Sequence, residues 1–502
     1  MTLHWQRAID VAQSLTHAWN QGAQPGGAIA LFDGKQIQSV CCGGLTDLAQ
    51  QAPFTPHSVV RFASVTKHLF AAMVTGPASH AISLTDTLNQ HLPQLRGDNG
   101  NVTVGQALDM TSGLPDVRET LSLLGLSVYN TTSAADLLDF LTQWGSLNYP
   151  AGSEISYSNT GYRLVEEALK AKGIYFADLL RQQVCEPLGI QLHAPETWFD
   201  IVPGLMPGYW QGATGWQLAS AGLHLSSSGC VAGSVQDLTV WLQSLLMNSG
   251  PGDGVLSRLT QPRRMNDGRI TGYGLGITHS RVGDALLVGH GGSHAGYKSY
   301  FLLDPVRQVG VTLVANREDV TTYDSAMRVM AALLDQPLPQ QGHSLTPGLY
   351  VAEQGGDWLE INEKSACWLG AAETLYHSGQ PEVAISLSSH LPMRLRQNGM
   401  AIEGEIGHAP RRFVPATADD SLSHIQGCWR LADTRSELVI DGDQLVMGIG
   451  PAVITATLKS LGQGRGRAIA QDGPWEKRFG LYLDGDQLQL LLNRSRVVRY
   501  ER

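Results

Sequence analysis

Hydrophobic positions set three rhythms along the chain. From Trp5 to about Asn20, Trp5, Ile9, Ala12 and Leu15 recur on one face of a helix. An apolar run at 28–32 and an alternating segment at 35–40 flank Asp33-Gly34, a pattern that predicts an antiparallel hairpin. Residues 59–62 form a short extended run that delivers the chain to Ser64. The helix expected from Ser64 to about Thr75 is apolar on most sides, so it is buried, and Lys67 with it. Residues 84–153 read as mostly helical, with one helix from Val104 closed by Gly113 and Pro115 and an amphipathic one from Ala134 to Trp144. Tyr157 and Asn159 are expected on a loop before a helix from Leu164 to Lys172. A small, glycine- and serine-rich stretch at 219–234 precedes a helix through Leu246. Strands are expected at 273–277, 285–290, 297–303 and 309–316, with turns at Gly291-Gly292 and Asp304-Pro305. A last helix, Ala326 to Leu334, could pair with the first one against that sheet.

Beyond a linker at 336–343 the rhythm changes to short alternating segments with Gly, Asp and Asn turns. A weak repeat runs through this part. Gly348-Leu349-Tyr350 precedes Leu359-Glu360-Ile361 at the same spacing at which Gly427-Cys428-Trp429 precedes Leu438-Val439-Ile440, with a polar separator from Pro415 to His424 between them. The expectation is an α+β domain over residues 1–335, then two small antiparallel β-barrels at 336–417 and 418–502.

Composition narrows the classes. At 502 residues there is chain enough for several domains, and a net charge of −10 without any basic run argues against a nucleic-acid partner. No apolar stretch reaches the ~18 residues of a membrane span. The N-terminus lacks the basic and apolar regions of a secretory signal. The six cysteines form no C-x-x-C pair and no disulfide framework, which fits a cytoplasmic protein.

Three short pieces carry candidate chemistry. Ser64-Val65-Thr66-Lys67 sets a hydroxyl and an amine on one helix face. Burial lowers a lysine pKa, and a neutral amine can take the proton that keeps serine a weak nucleophile. The same four residues also suit an ordinary helix start with a serine cap. Tyr157-Ser158-Asn159 offers a phenol that passes protons and an amide that holds a carbonyl or the lysine; taken alone, it is better read as a tyrosine packed beside a turn and an asparagine capping the next helix. His290-Gly291-Gly292-Ser293-His294 ends a strand with a histidine among glycines, where a substrate backbone can approach closely. Metal binding by His290 and His294 lacks acidic or cysteine partners nearby. The absence of a Gly-x-Ser-x-Gly elbow argues against an α/β-hydrolase.

In order and spacing these pieces, with Met110-Thr111-Ser112-Gly113-Leu114 and Pro150-Ala151-Gly152, resemble the serine β-lactamase and penicillin-binding-protein superfamily, in its class C β-lactamase branch, over residues 20 to 335. The resemblance implies a β-lactamase-like domain, an antiparallel sheet flanked by helices plus a helical subdomain. His290-Gly291-Gly292 replaces the usual Lys-Thr-Gly, a departure that weakens a β-lactamase reading. That departure, the two C-terminal β domains and the missing signal are similar to the D-aminopeptidase subgroup.

That subgroup implies hydrolysis through an acyl-enzyme, releasing N-terminal D-amino acids from peptides or amides with a free N-terminus, without metal or organic cofactor. It implies Ser64 as nucleophile, Lys67 and Tyr157 in the base and acid roles, and Asn159 and His290 as positioning groups. Gly291, Gly292 and Ser293 would line the substrate. A loop from the last barrel would enter the cleft, and its counterpart here, residues 470–475, offers Asp472 to the substrate ammonium; a solvated hairpin loop is the alternative for Asp472. A homodimer is compatible with this reading. Two other functions stand beside it: a carboxylesterase or β-lactam hydrolase/DD-peptidase, and a non-catalytic protein that binds peptidoglycan fragments.

Overall fold

The computed structural model describes residues 2–417, 420–431 and 434–502. Its central sheet has six antiparallel strands in the order Ile37–Gly43, Gly27–Asp33, Val309–Ala315, Tyr297–Asp304, Ala285–His294, Thr278–Val282. The hairpin near the N-terminus thus pairs with the last strand of the domain, Gly27 opposite Ala315. Side chains alternate across the sheet as the two-residue strand period requires. Ile29, Leu31, Val311 and Leu313 pack under helices Trp5–His17 and Thr322–Leu334. Ala28, Ala30, Phe32 and Val314 face the other core, with Leu69, Phe70, Trp241 and Leu242 from helices Thr66–Thr75 and Val235–Met247.

Four local expectations shift. Residues 273–277 form no strand; only Tyr273 makes an isolated bridge, to Thr278, and the strand begins there. Gly291-Gly292 is not a turn but strand interior, paired with Tyr300 and Ser299, and the chain reverses after His294. These glycines serve close approach instead. A Cβ on Gly291 would stand 2.8 Å from the Tyr300 ring, and one on Gly292 would stand 2.0 Å from the Phe62 carbonyl oxygen. The helix expected from Leu164 already starts at Asn159, because the Ser158 hydroxyl accepts the Thr160 N–H at 3.3 Å and caps it. Asn159 therefore sits on a helix, not on a loop. The helix from Val104 stops at Leu108, since Met110 takes a left-handed φ of 67°.

The C-terminal part folds into two nearly closed antiparallel sheets of nine and eight strands. The repeat seen in the sequence occupies the first hairpin of each: Tyr350 pairs with Leu359, and Trp429 with Leu438. The second sheet closes where Arg430 and Glu501 exchange backbone hydrogen bonds of 2.7 and 2.8 Å. The division expected between residues 417 and 418 falls at positions outside the described residues. Leu123 and Leu124 of the N-terminal domain enter the core of the last barrel, so the two are packed together. Among the described residues, no helix is long and apolar enough to cross a membrane.

Candidate active site

Ser64 lies on a single 3-10 turn, Ala63–Val65, that runs into helix Thr66–Thr75. The turn is sharp: Ala63 holds a left-handed φ of 49°, which costs a non-glycine residue about 1–2 kcal/mol. Strand Ala285–His294 locks the turn in place. Gly292 lies against it, and the Ser299 hydroxyl of the neighbouring strand donates to the Phe62 carbonyl at 2.6 Å.

Lys67 is fully buried one turn along, its Nζ 3.2 Å from Ser64 Oγ, 2.8 Å from Asn159 Oδ1 and 2.7 Å from the Ser228 carbonyl oxygen. Burial holds its amine well below the usual lysine range; Asp116 opposes that shift, while Arg494 and Arg118 add to it. A neutral amine has two N–H donors and one lone pair. Two carbonyl oxygens take the donors, so the lone pair is left for the serine hydroxyl.

Asp116 fixes this arrangement. Its Oδ2 accepts both the backbone N–H and the side-chain amide of Asn159, each at 2.8 Å, which turns Asn159 Oδ1 toward Lys67. Its Oδ1 caps helix Val117–Leu123 through the N–H groups of Arg118 and Glu119 at 3.0 and 3.1 Å. Tyr157 lays its ring 4.7 Å from Lys67 Nζ, and burial pushes its phenol above the usual tyrosine range, against the pull of Ser64 and Arg494. Ser64, Lys67, Tyr157 and Asn159 thus form one cluster.

His290 adjoins the cluster, its ring centroid 6.2 Å from that of Tyr157, but both nitrogens are engaged. Nε2 meets the Tyr273 hydroxyl at 2.8 Å and Nδ1 the Gly291 carbonyl at 2.7 Å. Burial, then Lys67, keeps the ring neutral by lowering its pKa well below the usual value. Both ring nitrogens are thus taken up within the protein. His294 bonds the Gly229 carbonyl at 2.7 Å, away from the partners of His290. Among the described residues, no group of three or more His, Cys, Asp or Glu is placed to hold a metal ion.

Asp472, expected to meet a substrate ammonium, sits at the tip of hairpin 465–484. Its carboxylate is already filled: Ser127 Oγ donates at 2.6 Å, the Val128 N–H at 2.9 and 3.1 Å, and the Lys477 ammonium also binds it. Asp472 latches the last barrel to the catalytic domain. A different turn of that barrel reaches the catalytic cluster. Arg494 takes the Asp116 N–H on its carbonyl at 2.8 Å, gives its own N–H to Glu119 Oε2 at 2.8 Å, and lays its guanidinium 4.7 Å from the Tyr157 ring centre. From the middle barrel, His390 brings its ring 5.2 Å from Tyr157. Burial, then Arg494 and Lys67, holds His390 down at about 3.

Sequence reading passed over Asp116, Glu119, Ser228, His390 and Arg494. Only Asp116 carried a local signal, an aspartate ahead of an amphipathic helix. A cavity of about 420 Å³ opens beside the cluster, lined by Arg118, Glu119, Asn159 and Ser293 of the catalytic domain, Gly370 of the middle barrel, and Trp475 and Arg494 of the last.

Known proteins share this architecture. A D-aminopeptidase of Gluconobacter oxydans is 24% identical over 341 residues, which cover 66% of this chain and 64% of that protein. A D-aminopeptidase of Brucella canis is 24% identical over 70% of this chain and 67% of its own length. The chain thus spans about two thirds of the length of these relatives. Among solved structures, the octameric penicillin-binding protein homologue from Pyrococcus abyssi matches 99% of this chain and 98% of its own, with 16% identity and a TM-score of 0.54. D-amino acid amidase from Ochrobactrum anthropi SV3 matches 65% of this chain and 99% of its own, with 21% identity and a TM-score of 0.54. The family described as Beta-lactamase matches residues 11–335, more than half of the chain, and the protein belongs to that family.

Proposed function

We propose that the protein is a serine hydrolase that works through an ester on Ser64, and that it releases N-terminal D-residues from short peptides or amides. The observation that carries the first part is the buried amine of Lys67, with both N–H donors committed to carbonyls and its remaining side 3.2 Å from Ser64 Oγ. In this reading Ser64 Oγ attacks the substrate carbonyl and its proton passes to Lys67. Tyr157 stays protonated at neutral pH, so it suits the relay of that proton to the leaving amine. A carbonyl oxygen held by the backbone N–H of Ser64 and a second donor near Ser293 would have the stabilisation of an oxyanion hole, worth on the order of 100–1000-fold per donor. Water then cleaves the ester and the proton path runs in reverse.

The substrate class rests on the D-aminopeptidase and D-amino acid amidase names among the relatives and on one acid in the cavity. With Asp472 filled, Glu119 is the carboxyl placed to meet an ammonium. Burial raises it to about 7, and Arg494 opposes that shift. The filled Asp472 also favours a second reading, an esterase or β-lactam hydrolase, which needs no ammonium site. A panel of D- and L-aminoacyl nitroanilides, their N-acetylated forms, short-chain esters and nitrocefin separates the two. Turnover confined to free-amine D-substrates is expected; equal turnover of N-acetylated and free-amine substrates would remove the aminopeptidase reading.

A further inference from the structure

We infer that Arg118 is the site for a substrate carboxylate, so that the cleft takes a short peptide with a free C-terminus in preference to its amide. This rests on the hydrolase reading above and names the substrate class more narrowly.

Arg118 follows Asp116 by two residues and opens helix Val117–Leu123. Its side chain borders two spaces: the cavity of about 420 Å³ and a smaller hollow walled by Asn159, Ser228 and Gly229. Asn159 and Ser228 are the two residues that hold Lys67, so Arg118 stands one layer from the reacting amine, and its charge is among those that lower the lysine.

Among the described residues the Arg118 guanidinium has no hydrogen-bond or ion-pair partner. Two other cations of the cavity are committed: Lys477 binds Asp472 and Ser122, and Arg478 binds Glu476 and Glu360. Arg494 lies on Tyr157 with Glu119 at 3.9 Å, its buried Nε without a hydrogen bond. Asp116, the carboxylate nearest along the chain, cannot serve. Its two oxygens already accept four N–H donors, two from Asn159 and one each from Arg118 and Glu119.

A largely buried guanidinium that Asp116 attracts without hydrogen-bonding it is costly, and a planar carboxylate meets its fork with two parallel hydrogen bonds. The cavity volume lies at the low end of the ~300–1,000 Å³ range of small-molecule sites, and both barrels wall it. With Glu119 on the same wall, the charges suit a short zwitterion, its ammonium at Glu119 and its carboxylate at Arg118.

The test measures how well D-alanylglycine and D-alanylglycinamide protect Ser64 from a fluorophosphonate label, and how fast each is hydrolysed, in the full-length protein and in Arg118→Met and Arg118→Lys. The free acid is expected to protect at concentrations at least 10-fold lower than the amide. Arg118→Met should collapse that ratio to near one, chiefly through KM, and Arg118→Lys should restore part of it. The ratio is internal to each variant, so a partly folded sample does not blur it. Equal protection by acid and amide in the unaltered protein, or an unchanged ratio in Arg118→Met, overturns the carboxylate site. Failure of the label to reach Ser64 at all overturns the carboxylate site together with the hydrolase reading; protection by the acid without turnover supports the site and leaves only the aminopeptidase reading refuted.

Discussion

At the residue scale the site depends on which groups keep their protons. Burial favours the neutral amine of Lys67 and the protonated phenol of Tyr157, the forms that the proposed mechanism needs in its base and its acid. Tyr157→Phe keeps the ring between Arg494 and His390 but removes the relay; kcat should fall about 100- to 10,000-fold with stability within about 1 kcal/mol. Asp116→Ala strips the acceptor from four N–H donors and frees the Asn159 amide. It should cost about 2–4 kcal/mol in urea unfolding and at least as much activity as Tyr157→Phe. Glu119 titrates at about 7 in the fold against 4.5 when free, so the folded chain holds an extra proton between those values. The stability this carboxyl contributes is full below 4.5 and is lost as pH rises through 7. Glu119→Gln cannot ionise and should gain on the unaltered protein by about 1–3 kcal/mol between pH 5 and pH 8, read from paired urea midpoints.

At the scale of elements, the long periodic segments were legible and the short irregular ones were not. The first hairpin, helices Ala134–Gln143 and Val235–Met247, and the three strands between residues 285 and 315 follow from apolar rhythm and turn residues. Rhythm failed where a tertiary contact decides. Gly291 and Gly292 look like a turn in sequence because glycine marks turns. In the fold they let a strand pass close to Tyr300 and to the turn bearing Ser64. Asn159 was placed on a loop because the cap, Ser158, lies inside a Ser-Asn-Thr run that carries no apolar period. Gly292→Ala is the sharpest test of this contact. Its methyl would stand 2.0 Å from the Phe62 oxygen, so the nucleophile turn must move; activity should fall more than 100-fold, whereas Gly485→Ala, at a hairpin with open space around it, should leave kcat/KM unchanged.

At the scale of the whole molecule, the barrels are not appendages. His390 from one and Arg494 from the other meet at Tyr157, and Asp472 and Trp475 fasten the last barrel to Ser127, Val128 and Glu318. The sequence showed two β domains through their repeat, but not which loop enters the cleft, because that depends on docking across hundreds of residues. Arg494→Ala removes a charge that helps hold the Lys67 amine below its usual range, so the acid limb of kcat/KM should move to higher pH, with a loss of about 10-fold or more at neutral pH. Acid should unfold the protein steeply. His68 and His224 titrate at about 4 and His390 at about 3, below the free value of 6.5, so the unfolded chain binds protons that the fold excludes. Their contribution is full above 6.5 and is lost as pH falls toward 4, by at most ~1.4 kcal/mol per pH unit for each ring.

All of this turns on a covalent bond at one hydroxyl. The direct measurement is intact-mass and peptide mapping of the protein after reaction with a fluorophosphonate. The account predicts a single adduct on the peptide carrying Ser64, none in Ser64→Ala, and slow labelling in Lys67→Met. Equal labelling of Ser64→Ala, or an adduct on another serine, would contradict it.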